Sequence, residues 1–239
     1  MTKSASSSKK RLSKAMAAAG VASRRACETL IFDGHVKVNG EIVLVPQTLV
    51  DWDNDIILVD NEKLEKEEEK VYYVLNKPQN YVCTSRKTSS TKIVLDLFED
   101  VKHRVFTVGR LDKNTEGLLI VTNDGHFANK IIHPSQDINK EYVAKTDSEI
   151  THEHLMAIST GTLVQGTFVK PIAVTKVRKG TVKVTIAEGK KHEVRLLLEA
   201  AGLKIKELIR IRIGGLHLGN LPIGHYRVMT ESEKKAVFE

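Results

Sequence analysis

The chain has little that would point to oxidised, membrane-bound or metal-dependent chemistry. Its 239 residues include two cysteines, Cys27 and Cys83, far apart and at no metal-ligand spacing. That usage predicts a reducing cytoplasm and no disulfide framework. No run of 18 apolar residues occurs, so no membrane-spanning helix is expected. The Lys- and Ser-bearing start lacks the apolar core of a secretory signal. No Gly-x-Gly loop follows a strand pattern to hold a nucleotide cofactor. His192 and His217 have no partner at ligand spacing, so no metal is expected.

Acidic residues are missing from one long stretch. Residues 1–25 hold Lys3, Lys9, Lys10, Arg11, Lys14, Arg24 and Arg25 and not one Asp or Glu. The whole chain carries +7 at a pI near 9.3, with 28% charged and 41% hydrophobic residues. A globular protein so charged seeks a polyanion, nucleic acid before an acidic membrane surface. A second basic track runs from Lys176 to Arg212, with 11 Lys/Arg against 4 Glu.

Residues 1–10 read as a disordered basic tail and 11–60 as a small helix-helix-strand module. Leu12, Ala15, Met16 and Ala19 have helical spacing, and Gly20 suits the end of that helix. Ser23 caps a second helix running from Arg24 to about Phe32. Arginines opening a helix oppose its dipole, a placement that makes sense if they meet phosphate. Asn39-Gly40 between Val36-Lys37-Val38 and Glu41-Ile42-Val43 marks a hairpin, and Ile56 to Val59 a further strand. Residues 61–70, charged and almost without apolar side chains, read as an exposed tether. Residues 71–239 then alternate strand patterns with short helices, giving an α+β chain whose larger domain has a mixed, mainly antiparallel sheet.

The densest signal is Val108-Gly109-Arg110-Leu111-Asp112-Lys113-Asn114-Thr115-Glu116-Gly117-Leu118-Leu119-Ile120-Val121, closed by Thr122-Asn123-Asp124-Gly125. Leu118 to Val121 reads as a buried strand, and a loop feeding such a strand is a rigid mount for Asp112 at its tip. Arg-Leu-Asp alone is a common tripeptide, far more often a surface ion pair or turn carboxylate than a site. The longer string resembles the active-site loop of ribosomal RNA pseudouridine synthases of the RsuA/RluB type, whose essential aspartate falls on Asp112.

The resemblance extends over most of the chain. Lys77-Pro78, Tyr81 to Ser85, Lys140-Glu141-Tyr142-Val143, Glu188-Gly189 with Val194-Arg195, and Arg210 to Gly215 all match family motifs. Two departures are Asn80 in place of a glycine and Glu193 where Gln is frequent. The match implies a pseudouridine synthase fold, with Tyr142 as the active-site tyrosine and Arg195 as the ion-pair partner of Asp112. Residues 18–25 and 34–40 likewise resemble the S4-type RNA-binding module. The resemblance therefore implies RNA contacts at Arg11, Lys14, Ser23, Arg24, Arg25 and Lys37. In the larger domain, Lys77, Arg110, Lys190 and Lys191 are the expected contacts.

The activity so implied is site-specific isomerisation of uridine in ribosomal RNA, or in a ribosome-assembly particle, by a cytoplasmic monomer without cofactor or membrane. A carboxylate can act there as nucleophile or stabiliser, on a base extruded from its stack. Two other readings explain less. A non-catalytic RNA-binding or assembly factor leaves the residues 109–125 loop and Arg195 unused, and a methyltransferase would need a cofactor loop.

Overall fold

The computed structural model describes residues 9–65, 68–85, 90–164, 166–187 and 189–239. It divides into two compact units, Met1–Lys70 with Val101–Arg104, and Val71–Asp100 with Val105–Glu239. The disordered tail expected over residues 1–10 falls mostly outside the described residues. Its last member, Lys10, already belongs to a strand.

In the first unit the elements are β1 (Lys10–Arg11), α1 (Leu12–Ala18), α2 (Arg24–Phe32), β2 (Val36–Val38), β3 (Glu41–Ile42), β4 (Leu49–Val50), β5 (Ile57–Val59) and β6 (Glu62–Lys63). Leu12, Ala15 and Met16 of α1 pack with Cys27 and Ile31 of α2 over Val36, Val50 and Ile57. Burying each large side chain contributes roughly 1.5–3 kcal/mol, which holds the two short helices together. Ser23 caps α2 by accepting from Ala26 N at 3.2 Å. At the β2–β3 turn Asn39 and Gly40 both have left-handed backbones (φ 53° and 89°), as a tight hairpin turn requires. Asp60 and Asn61 (φ 50° and 68°) make a second such turn, giving the sheet order β3-β2-β5-β6. The expected tether thus begins as a strand: Glu62 and Lys63 pair with Val59 and Leu58. Their charge had masked an edge strand whose side chains face solvent.

The second unit holds β7 (Tyr72–Lys77), β8 (Phe106–Val108), β9 (Glu116–Thr122), α3 (Gly125–Ile132), β10 (Lys140–Thr146), α4 (His152–Thr160), β11 (Thr162–Val164), β12 (Thr167–Val169), β13 (Ala173–Arg178), β14 (Thr181–Ile186), α5 (Glu193–Ala200), β15 (Ile205–Ile213), β16 (Leu216–His217), β17 (Tyr226–Val228) and α6 (Glu231–Ala236). Its main sheet runs β13-β14-β10-β15-β9-β7-β17, with β8 also on β9 and β16 on β15. Every pairing described in it is antiparallel except β15 with β9. That parallel contact joins only Ile209 to Glu116 and Arg210 to Gly117.

Gly117 makes the junction possible. A Cβ there would lie 2.2 Å from the Arg210 carbonyl oxygen and 2.8 Å from its nitrogen, and the backbone has φ +102°. One face of the sheet is closed by α3 and α6 through Val108, Leu118, Ile120, Phe127, Ile131 and Val237. Asp124 caps α3 by accepting from His126 N and Phe127 N, so the Asn123-Asp124-Gly125 turn also starts the helix. Asn80, the residue that departs from glycine, adopts a left-handed backbone (φ 67°), a conformation glycine favours and asparagine tolerates.

Candidate active site

Asp112 lies in the loop between β8 and β9, and that loop is tied down from beneath. The Lys77 side chain, at the end of β7, is 0% exposed. Its Nζ donates to the carbonyls of Asp112 (3.2 Å), Lys113 (3.4 Å), Thr115 (2.9 Å) and Pro78 (3.0 Å). Asn80 N donates to Lys113 O at 2.8 Å, and Thr115 N to Asp112 O at 3.0 Å. Leu111 N points to Cys83 Sγ at 3.4 Å. Arg195 of α5 closes the far side, its Nη2 donating to Asn114 O (2.9 Å) and Thr115 Oγ1 (3.1 Å). Each carbonyl from Asp112 to Thr115 therefore has a donor, which fixes the backbone while the Asp112 carboxylate, 31% exposed, projects free of the tether.

These contacts correct two expectations. Lys77 cannot grip RNA, because burial leaves it no exposed surface and its proton donors are spent on the loop. Burial also pushes its pKa down, since a desolvated ammonium is costly. Arg195 does not pair with Asp112 in this structure; it holds the two residues at the end of the same loop. The group facing Asp112 is His192, with Nε2 3.3 Å from Oδ1. His192 precedes α5 with a left-handed backbone (φ 61°, ψ 15°), and this turn accompanies its approach to the loop.

Asp112 opens into a cavity of about 710 Å³, within the size range of ligand sites. Tyr142, Lys140, His192, Arg195 and Arg210 share its walls. Tyr142 is 8% exposed and sits on β10 opposite Val184 and Arg210. Arg210 is 4% exposed; its Nε donates to Leu118 O at 2.8 Å. Its Nη2 is buried with no hydrogen-bond partner. Lys140 Nζ donates to Ile138 O (2.8 Å) and Ala187 O (3.2 Å), and burial lowers its pKa. Among the described residues no three His, Cys, Asp or Glu side chains gather as a metal site.

The other expected RNA contacts divide between the two units. Arg110, Lys190 and Lys191 line the cavity mouth with Asp112. In the first unit Arg11, Lys14, Arg24 and Arg25 are exposed, with Arg24 3.7 Å from Glu28. Lys37 is half-buried and donates to Asn61 Oδ1 at 3.0 Å, while the Ser23 hydroxyl is engaged in capping α2. Sequence reasoning missed His192 and Arg210 as members of the site. Arg210 had a readable sign: it shares strand parity with Leu208, the core-facing side of β15.

Comparisons with known proteins agree with this layout. A family model described as RNA pseudouridylate synthase matches residues 71–200, and an S4 domain model matches residues 10–57. The ribosomal large subunit pseudouridine synthase B of Bacillus subtilis is 38% identical over 94% of each chain. A putative ribosomal large subunit pseudouridine synthase of Arabidopsis thaliana chloroplasts is 44% identical; the match covers 95% of this chain and 60% of that longer protein. A crystal structure of a pseudouridylate synthase superposes with a TM-score of 0.69 at 30% identity, covering 95% of this chain and 99% of the other.

Proposed function

The chain belongs to the RNA pseudouridylate synthase family, a family of isomerases, and from that premise we propose that it converts specific uridines of ribosomal RNA to pseudouridine through Asp112. The observation that carries this reading is the pinned loop. The Asp112 carboxylate is held by an immobilised backbone at the wall of a nucleoside-sized cavity. Such immobility is what positioning a reacting group requires.

The isomerisation breaks the N1–C1′ bond, turns the base and joins C5 to C1′, with one proton leaving C5 and one arriving at N1. No electrons are gained or lost, so the reaction calls for no redox cofactor. The target nucleotide leaves its stack to enter the cavity, since C1′ and C5 are shielded within folded RNA. Asp112 meets the sugar carbon as nucleophile or as counter-charge. Tyr142 offers its ring to the base, and the donor on Arg210 awaits an acceptor from it. The exposed arginines that open α2 suit phosphate, where a helix N-terminus adds its own attraction. Arg110, Lys190 and Lys191 extend a basic surface at the cavity mouth. The names of the relatives favour large-subunit RNA as the substrate.

Asp112→Asn tests the reading. The near-isosteric change keeps the loop and removes the charge, so the variant should bind RNA normally and release no tritium from 5-tritiated uridine in ribosomal RNA of cells lacking the protein. A folded Asp112→Asn protein with near wild-type turnover would refute the assignment. Mapping pseudouridines in ribosomal RNA with and without the protein would identify the modified position.

A further inference from the structure

Given that Asp112 serves the sugar, the reaction still has to move a proton from C5 to N1, and His192 is placed to move it. We propose that the His192 imidazole is the proton carrier of the isomerisation. Its Nε2 lies 3.3 Å from Asp112 Oδ1, and its ring, 48% exposed, shares the cavity wall with Tyr142. His192 holds a left-handed backbone (φ 61°), a conformation uncommon for residues other than glycine. The conformation is retained where the chain turns into α5, with Leu196 N donating to His192 O at 2.9 Å.

Three carboxylates also line the cavity: Asp112 is assigned to the sugar, Glu193 is buried and accepts from Lys190 N at 2.8 Å, and Asp137 lies exposed at the end of the turn after α3. The remaining groups are poor proton acceptors. Arg195 and Arg210 have no acceptor at all, and Lys140 is a donor to two carbonyls. A phenol such as Tyr142 must lose its own proton before it can take another. His133 also lines the cavity, but its Nδ1 caps the following turn through Ser135. A neutral imidazole both accepts and returns a proton near neutral pH. Once C5 has bonded to C1′, C5 is tetrahedral and still carries its hydrogen, and N1 is doubly bonded to C6. Nε2 takes that hydrogen as a proton. The C–H electron pair becomes the C5=C6 double bond, and the N1=C6 pair returns to N1. N1 then receives the proton from the imidazolium, which restores neutral His192 and completes pseudouridine without any further reactant.

The test uses full-length His192→Asn, because asparagine tolerates the left-handed backbone but cannot carry the proton. Single-turnover rates are measured on RNA containing uridine or 5-deuterated uridine, with RNA affinity measured in parallel. Loss of a general acid–base group costs about 10²–10⁴ in rate, and we expect a slowing in that range with unchanged affinity. The deuterium isotope effect should rise above that of the wild type, because C5 deprotonation becomes limiting. His192→Gly, which leaves an opening, should regain rate when imidazole is added. His192→Asn turning over at the wild-type rate would overturn the proposal. So would a slowed variant with an unchanged isotope effect and no imidazole response in His192→Gly, which would leave His192 a structural role. Asp112→Asn separates the two readings: an active Asp112→Asn protein removes the site assignment itself, whereas an inactive one beside a normal His192→Asn removes only the proton carrier.

Discussion

Replacing Lys77 by methionine would remove the ammonium beneath the Asp112 loop while nearly preserving side-chain volume. Four carbonyls lose that donor. Two of them keep another, since Thr115 N reaches Asp112 O and Asn80 N reaches Lys113 O. The carbonyls of Pro78 and Thr115 lose the contact without such a substitute. Leaving a buried polar group unsatisfied costs about 1–3 kcal/mol, a cost that falls in full on buried Thr115 and in part on half-buried Pro78. Part is offset because methionine removes a desolvated ammonium, the burial that lowers the Lys77 pKa. We expect a net loss on the order of 2 kcal/mol in denaturant unfolding. The loop should also loosen, and displacement of a reacting group by about 1 Å costs about 10² in kcat. RNA affinity and its salt dependence should not change, because Lys77 presents no surface to RNA. A lysine bound to phosphate would behave in the opposite way, its loss flattening the slope of log K against log salt by about 0.9 with double-stranded RNA treated as B-form. Tritium release and filter binding over a salt series distinguish the two. Unaltered kcat with a flattened slope would refute the account of the loop.

Two further outcomes follow from exposed and paired charges. Arg24→Ala with Arg25→Ala in the full chain should flatten the salt slope by about 1.8 if each meets one phosphate, with kcat at saturating RNA retained; an unchanged slope would remove α2 from the RNA surface. Glu233 accepts twice from Arg227 (2.6 and 2.8 Å), which holds its carboxyl at about 2 against the usual 4.5. A depressed folded-state pKa means stability that is present above 4.5 and lost as pH falls toward 2. Glu233→Gln should therefore lower the melting temperature at pH 7 and shrink the difference in melting temperature between pH 5 and pH 2.5. An equal acid-induced drop in both proteins would exclude this pair as a source of pH dependence.

The parts of this molecule legible in sequence are those whose cause is local. Leu118 to Val121 forms the centre of β9 because an apolar run between turn residues has few alternatives, and Thr181 to Ile186 forms β14 by its alternation. Ser23 and Thr230 cap helices at the positions their side chains dictate. The position of Asp112 at a loop tip was also readable. What the loop rests on was not, because Lys77 meets carbonyls more than thirty residues away and lysine ordinarily reads as surface. The partner of Asp112 was missed for a related reason. A left-handed turn at His192 sets which side chain of the segment before α5 reaches the loop, and no short-range pattern marks it. Glu62 and Lys63 were misread because an edge strand exposed on both sides has no apolar alternation to display. The β11–β12 hairpin likewise escaped notice, with Leu163 and Phe168 exposed and only Val164 and Val169 buried.

Burying cations without a hydrogen-bonded carboxylate is expensive, and this unit does so beneath the Asp112 loop and on the cavity wall. The side-chain hydrogen bonds of buried Lys77 and Arg210 and of half-buried Lys140 run to backbone carbonyls. A carbonyl compensates lost hydration but does not cancel the charge, so the positive potential persists into the space beside Asp112. Arrangements that served stability alone would favour apolar side chains at these places, as Leu208 does one turn of the pleat before Arg210. Under the proposed reaction the potential stabilises the negative charge that the uracil ring takes up as N1 leaves the sugar. It comes from groups fixed before substrate arrives, which is the condition for electrostatic stabilisation without reorganisation. The close approach at Gly117 that joins β9 to β15 is what places Arg210 there, so the irregularity of the sheet and the charge of the site have one structural origin.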